Sequence, residues 1–220
     1  QTEAEKDRLP PPPSGAFERG HALVIAVANY LRAPPLPETV LNDARDLCAL
    51  LTDPTTCGYP AGQVTQLLDS DATAANIRAA MSSLSQSTNS QSTAIVYFSG
   101  HGAHDATQQY LLPCDCDPTD LHSTAIAGEE MTEMLREIKA GRLLVLFDSC
   151  HSGGAGDPKG LLPQIKRGLS EDYYQALAQG KGRVVIASSR PDELSWALPG
   201  MRNSVFTHYL LEALRGKGKT

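Results

Sequence analysis

Short apolar runs at residues 22–28, 94–98, 143–147 and 184–187, with a weaker one at 64–68, alternate with segments whose apolar residues recur at helical spacing. A run that is continuously apolar, without a polar residue at every second place, is how a strand reads when both of its faces are covered. Between the runs, Val40, Ala44, Leu47, Cys48 and Leu51 fall on one helical face, as do Ile77, Ala80, Met81 and Leu84. Met131, Met134, Leu135 and Ile138 repeat the pattern, and Phe206, Leu210, Ala213 and Leu214 do so near the end. Strand and helix in alternation predict right-handed crossovers and therefore an α/β domain: a mostly parallel central sheet flanked by helices. A small hairpin is expected within 108–112. Residues 151–182, rich in Gly, Lys and Pro, have room for one short helix near 171–178, and so long a loop inside a compact domain usually carries function. Residues 1–17, with consecutive prolines at 10–13, read as a stiff proline-rich linker ahead of a domain at 18–220.

Charge and cysteine content narrow the partners. With 25 acidic and 19 basic side chains the net charge is −6, which argues against nucleic acid or an anionic membrane surface and in favour of cationic ligands. No run approaches the roughly 18 apolar residues of a membrane span, and the charged, proline-rich start is not a secretory signal. Five cysteines at irregular spacing do not make a disulfide framework, so a reducing, cytoplasmic location is expected.

In an open parallel sheet, ligands bind beyond the carboxyl ends of the strands. There the third run passes into Ser99-Gly100-His101-Gly102 and the fourth into Asp148-Ser149-Cys150-His151-Ser152-Gly153-Gly154. If the two strands are neighbours, about 4.8 Å apart, a histidine and a thiol face one cleft. Thiol chemistry on an amide needs a thiolate and a proton donor for the leaving amine, and Cys150 and His101 supply both. Gly102 and Gly153 let a substrate backbone approach, and the amides of Gly102 and Cys150 suit an oxyanion. Singly, each residue has an ordinary structural explanation: a turn histidine, a buried thiol. Their matching strand ends favour the dyad. Period-two alternation sets Ser99 on the side of His101 and Asp148 on the side of Cys150. Asn42-Asp43-Ala44 enters the helix after the first strand at the same edge, so Asp43, Ser99 and Asp148 could line a pocket for a lysine or arginine side chain. For Asp43 a helix-capping role is the equal alternative.

The two blocks Tyr97-Phe98-Ser99-Gly100-His101-Gly102 and Asp148-Ser149-Cys150-His151-Ser152-Gly153-Gly154 resemble the catalytic blocks of the caspase-like cysteine peptidases (clan CD, family C14), and specifically of metacaspases and their bacterial relatives, the orthocaspases. The resemblance implies a caspase-like three-layer sandwich in which His101 and Cys150 are the dyad and the Gly102 and Cys150 amides form the oxyanion hole. It implies a basic-residue pocket at Asp43, Ser99 and Asp148, and thus a cysteine endopeptidase cleaving after Arg or Lys. It also implies a large-subunit-like part to about residue 155, a loop at about 151–182, a small-subunit-like part to 220, and a monomer without a metal cofactor. The family's calcium-activated members carry an acidic cluster after the histidine block. Here the nearest residues are Asp115, Asp117 and Asp120, which lack the central glycine and closing glutamate of a calcium loop and read as a solvated turn. Lys159, Lys166, Arg167 and Lys181 in the long loop are candidate autocleavage points. Ser189 and Trp196 lie where relatives build a substrate wall, with packing the equal alternative for Trp196.

Other readings remain beside this one. The domain could scaffold partners with little turnover, or use the same thiol on small esters or amides. Cys114-x-Cys116 with His101, His104 and His122 matches no standard zinc spacing, and no phosphate-cradling glycine loop follows the first strand. Cys48 belongs to a core face, and Cys57 lies in a Pro/Gly-rich loop.

Overall fold

All five apolar runs form strands of one sheet. The computed structural model describes residues 17–104, 108–148, 166–167, 173, 175, 177, 182–188 and 200–216. In chain order these contain β1 (Gly20–Ala26), α1 (Thr39–Thr52), β2 (Val64–Leu68), α2 (Ala74–Ser87), β3 (Thr93–Ser99), β4 (Gly102–His104) and β5 (Gln109–Leu111). They continue with α3 (Leu121–Thr124), β6 (Ile126–Ala127), α4 (Gly128–Glu137), β7 (Arg142–Asp148), β8 (Lys166–Arg167), β9 (Arg183–Ala187) and a final helix, α5 (Val205–Leu214). The central sheet is parallel throughout, in the order β2-β1-β3-β7-β9. Its register places Ala26, Ser99 and Asp148 side by side at the carboxyl edge.

Residue parity along the strands sorts the core into two layers, because successive side chains point to opposite faces. Leu23, Ile25, Val96, Phe98, Val145 and Phe147 pack with Ile77 and Met81 of α2 and Met131 and Leu135 of α4. Ala22, Val24, Ile95, Tyr97 and Leu146 pack instead with Leu47 and Leu51 of α1 and Leu211 of α5. The result is helices, sheet, helices: the expected three layers.

The structure departs from the expectation in four places. The first strand ends at Ala26 rather than residue 28: the Val27 N–H makes the last ladder bond, to the Ser99 carbonyl (2.9 Å), and the Ala28 N–H leaves the sheet for Asp69 Oδ1 (2.8 Å). The hairpin is not contained in 108–112: β5 pairs with β4, directly after His101, within a second antiparallel sheet ordered β6-β5-β4-β8. The loop expected to hold only a helix contributes β8, paired with β4. In α5 the buried residues are Thr207 and Leu211, while Ala213 is exposed. A hydrogen bond of 3.2 Å between Thr207 Oγ1 and the Tyr97 hydroxyl brings this polar residue inward, which apolar spacing cannot foretell. Where the short helix was expected near 171–178, residues 173, 175 and 177 are helical. There Tyr173 and Leu177 join the core and the Tyr173 hydroxyl donates to the Gly128 carbonyl (3.1 Å).

Candidate active site

His101 is locked in place by the segment that follows β1. Its backbone N–H donates to the Tyr30 hydroxyl (2.7 Å), its ring lies against the Tyr30 ring with centroids 4.7 Å apart, and only 6% of the residue is exposed. Gly100 makes this packing possible, since a Cβ there would sit 2.8 Å from the Tyr30 hydroxyl and 3.1 Å from the Phe98 ring. His101 Nε2 lies 2.9 Å from the Pro34 carbonyl. A carbonyl can only accept, so Nε2 carries the hydrogen and, in the neutral ring, Nδ1 is the basic nitrogen.

β3 and β7 are neighbours, which is the condition the sequence argument needed. Ser99 pairs with Asp148, so His101 and Cys150 each lie two residues past a paired strand end. Cys150 itself lies outside the described residues, as do Ser189, Trp196, Lys159 and Lys181. Lys166 and Arg167 form β8, opposite His104 and Ala103 of β4.

The three polar residues expected to form a pocket do come together. Ser99 and Asp148 are fully buried and Asp43 is 1% exposed. By parity Ser99 and Asp148 share the face covered by α1 and α5, and Ser99 Oγ donates to the Asp148 carbonyl (3.3 Å). Asp43 does not cap its helix: the N-cap of α1 is Glu38, and Asp43 points inward from the second turn. Its carboxylate accepts the Ser204 N–H (3.0 and 3.3 Å to its two oxygens), while Ser204 Oγ donates to Asp148 Oδ2 at 2.8 Å. Ser204 therefore joins the two carboxylates, and it also caps α5 by accepting the Thr207 N–H (3.1 Å). Burial pushes the Asp43 carboxyl up to about 7; the Asp148 charge adds to this, and the hydrogen bonds of Ser204 and Asn203 oppose it. The Tyr97 hydroxyl below is driven well above its ordinary range by burial and by both aspartates.

Sequence reasoning missed Ser204, Thr207, Tyr97, Tyr30 and the Pro34 carbonyl. Two had signals: Ser204 precedes a helix-period segment, as an N-cap should, and Tyr97 shares the parity of Ser99.

The remaining candidate ligands are otherwise occupied. Asp115 accepts the Ala74 N–H (3.0 Å), Asp117 the Thr119 N–H (2.9 Å), and Asp120 caps α3 through the Ser123 N–H (3.3 Å). Cys114 and Cys116 are buried in different clusters, and burial raises both thiols, Cys116 to about 12. Among the described residues no group of three or more His, Cys, Asp or Glu side chains is arranged to hold a metal ion, and no helix is long and apolar enough to cross a membrane.

Comparison with known proteins places this arrangement. A family model described as the caspase domain matches residues 19–220. Metacaspase-1B of Aspergillus fumigatus is 30% identical over 191 residues, covering 77% of this chain and 46% of that protein, so the chain spans less than half the length of this curated relative. Among solved structures, a structural-genomics protein of Geobacter sulfurreducens superposes with a TM-score of 0.63 at 19% identity, covering 92% of this chain and 84% of that one. Caspase-1 of Spodoptera frugiperda gives a TM-score of 0.56 at 18% identity, with 96% and 74% covered, and shows that the fold is caspase-like.

Proposed function

The chain belongs to the caspase-domain family of cysteine peptidases, and from that premise we propose that it is an endopeptidase that cleaves peptide bonds after arginine or lysine. Cys150 attacks the scissile carbonyl as a thiolate, and His101 protonates the departing amine. His101 then activates the water that hydrolyses the thioester, while the Gly102 and Cys150 amides face the oxyanion. The bond from Nε2 to the Pro34 carbonyl supports this role, because it orients the ring and makes Nδ1 the basic nitrogen of the neutral imidazole. The mechanism uses no metal ion and no organic cofactor.

One observation carries the specificity: Asp43 and Asp148, both buried, meet through Ser204 beside Ser99 at the edge where the dyad residues lie. Among the described residues, the groups with the largest effect on Asp43 are Ser204, Asp148 and Asn203, none of them cationic. A buried carboxylate is costly until a cation or several donors reach it, and a guanidinium or ammonium at P1 offers both. In this reading the substrates are peptides and proteins with a basic P1 residue, and the protein is a cytoplasmic monomer. Ser189 and Trp196 contribute to the substrate wall, and the loop after Cys150 is cut by the enzyme itself at Lys159, Lys166, Arg167 or Lys181.

Fluorogenic peptides with Arg, Lys, Asp and Asn at P1 test the proposal, together with labelling of Cys150 by an arginine chloromethylketone. Hydrolysis confined to Arg and Lys, lost in Cys150→Ala, is expected. Turnover after Asp or Asn, or binding without turnover as in a scaffold, would overturn it.

A further inference from the structure

Three consecutive residues ahead of α5 are gripped by one face of α1. Arg202 makes a bidentate ion pair with Asp46, Nε to Oδ2 at 2.8 Å and Nη2 to Oδ1 at 2.9 Å. Asn203 Nδ2 donates to the same carboxylate (3.0 Å), and Asn42 Nδ2 donates to the Arg202 carbonyl (3.3 Å). The next residue is Ser204, whose N–H goes to Asp43 and whose hydroxyl goes to Asp148. Asn42, Asp43 and Asp46 are neighbours on the helix surface by their spacing of three and four, so residues 202–204 lie along a single ridge of α1. Asn203 is 8% exposed and Ser204 2%, whereas the Arg202 side chain is 64% exposed.

The grip has a geometric consequence. Ser204 must stand between two carboxylates on different elements, one on α1 and one at the end of β7, and its own helix begins only at Val205. α5 holds Ser204 from one side through the Thr207 N–H, and the contacts of Arg202 and Asn203 with Asp46 tie the segment ahead of it to α1. The Arg202 guanidinium and the Asn203 amide hold the Asp46 carboxyl below its usual range, so the anchor stays charged wherever a protease of this kind would work.

We propose that Asp46 and Arg202 are positioning residues for the P1 pocket: their ion pair holds residues 202–204 where Ser204 can join Asp43 to Asp148, and so sets the affinity for a cationic P1 side chain without entering the chemistry. The inference rests on the assignment of Asp43 and Asp148 to the P1 cation. An exposed ion pair adds little to global stability by itself, so the effect should appear in substrate affinity before it appears in unfolding. It should appear in the pH profile as well. The groups acting on Asp43 are Ser204 and Asn203 from the gripped segment and Asp148 from β7, and Tyr97 of β3 lies within the field of both carboxylates. Among the described residues, the Ser204 and Asn203 bonds favour the charged form, and loosening the grip weakens them.

The test is steady-state kinetics of the 220-residue chain on an Arg-P1 fluorogenic peptide. It compares wild type, Asp46→Asn, Arg202→Ala, Arg202→Lys and Asp43→Asn, with iodoacetamide alkylation of Cys150 followed by peptide mass mapping. Asp46→Asn and Arg202→Ala should raise KM about tenfold while kcat and the alkylation rate stay within about twofold, and the pH midpoint of kcat/KM should move upward. Arg202→Lys, which keeps the charge and loses the fork, should fall between. Wild-type KM and pH midpoint in Asp46→Asn, alongside loss of Arg cleavage in Asp43→Asn, would overturn the positioning role alone. Undiminished kcat/KM in Asp43→Asn would overturn the pocket assignment and this role with it. A parallel fall in kcat, alkylation rate and Tm would mark the ion pair as merely structural. Should Arg202→Ala fail to fold, an unchanged KM in Arg202→Lys and Asp46→Asn is the overturning result.

Discussion

Two acidic regions of this chain use carboxylates in opposite ways. At the carboxyl edge of the sheet, Asp43 and Asp148 are buried and held by a serine 161 and 56 residues away in sequence. In the turn at 115–120, Asp117 bonds the N–H and hydroxyl of Thr119, only two residues on, and pairs with Arg32 across the surface. Burial drives Asp43 up to about 7, while the Thr119 and Arg32 contacts hold Asp117 below its ordinary range. A carboxylate that makes its own local donors is satisfied and has nothing left to recruit. One that burial pushes towards its protonated form gains from an external cation.

The sharpest way to break this comparison is to neutralise one member of each region. Asp43→Asn should lower kcat/KM on an Arg-P1 peptide by about 100-fold, the cost of removing a buried charge partner, whereas Asp117→Asn should leave it unchanged. Equal losses in the two variants would show that the buried pair has no special claim on the substrate.

The pH dependence sharpens it further. A P1 cation binds the charged form of Asp43, so below about 7 kcat/KM on Arg substrates should rise about tenfold per pH unit and flatten above. The Asp43→Asn profile should lack that limb.

Stability moves the other way. The folded-state pKa of Asp43 lies above its unfolded value, so the folded chain binds the extra proton and stability falls as pH rises from about 4 towards 7, by up to about 4 kcal/mol. Asp43→Asn should therefore gain on wild type as pH increases, measured by denaturant unfolding without substrate; a constant difference across that window would contradict the burial argument. Asp117 has the opposite sign. Its stabilisation is present above the ordinary carboxylate pKa and fades as pH falls through the depressed folded value, so Asp117→Asn should lower Tm slightly at pH 7 and less in acid. The smallest effect is expected from calcium. With Asp115, Asp117 and Asp120 committed to the Ala74, Thr119 and Ser123 amides, neither added calcium nor EDTA should move the initial rate.

Much of the arrangement was legible in the chain. The runs ending at Ser99 and Asp148 were readable as strands finishing at one sheet edge, and with them the place of His101, because a buried parallel strand leaves a continuous apolar signature; that the two are neighbours came from the register. Asp43 was readable as a pocket candidate, but its equal capping alternative is settled only by seeing Glu38 at the helix start. Ser204 was not readable in its role. Its position before a helix suggests a cap, yet nothing local tells that its hydroxyl also reaches Asp148. The same holds for β8, whose pairing with β4 depends on a return of the chain that no periodicity encodes.

Local spacing was enough to determine the strands, most helices, the layer order and the edge where chemistry must sit, because each residue's preference for water or core acts on its own position. Whether two carboxylates share a serine, whether Asp43 keeps its proton near neutrality, and how Arg202 reaches Asp46 depended on α1 and α5 docking over the ends of β3 and β7. Desolvation and hydrogen-bond geometry between residues 56 to 161 positions apart exist only after that docking, so the tertiary structure alone decided them.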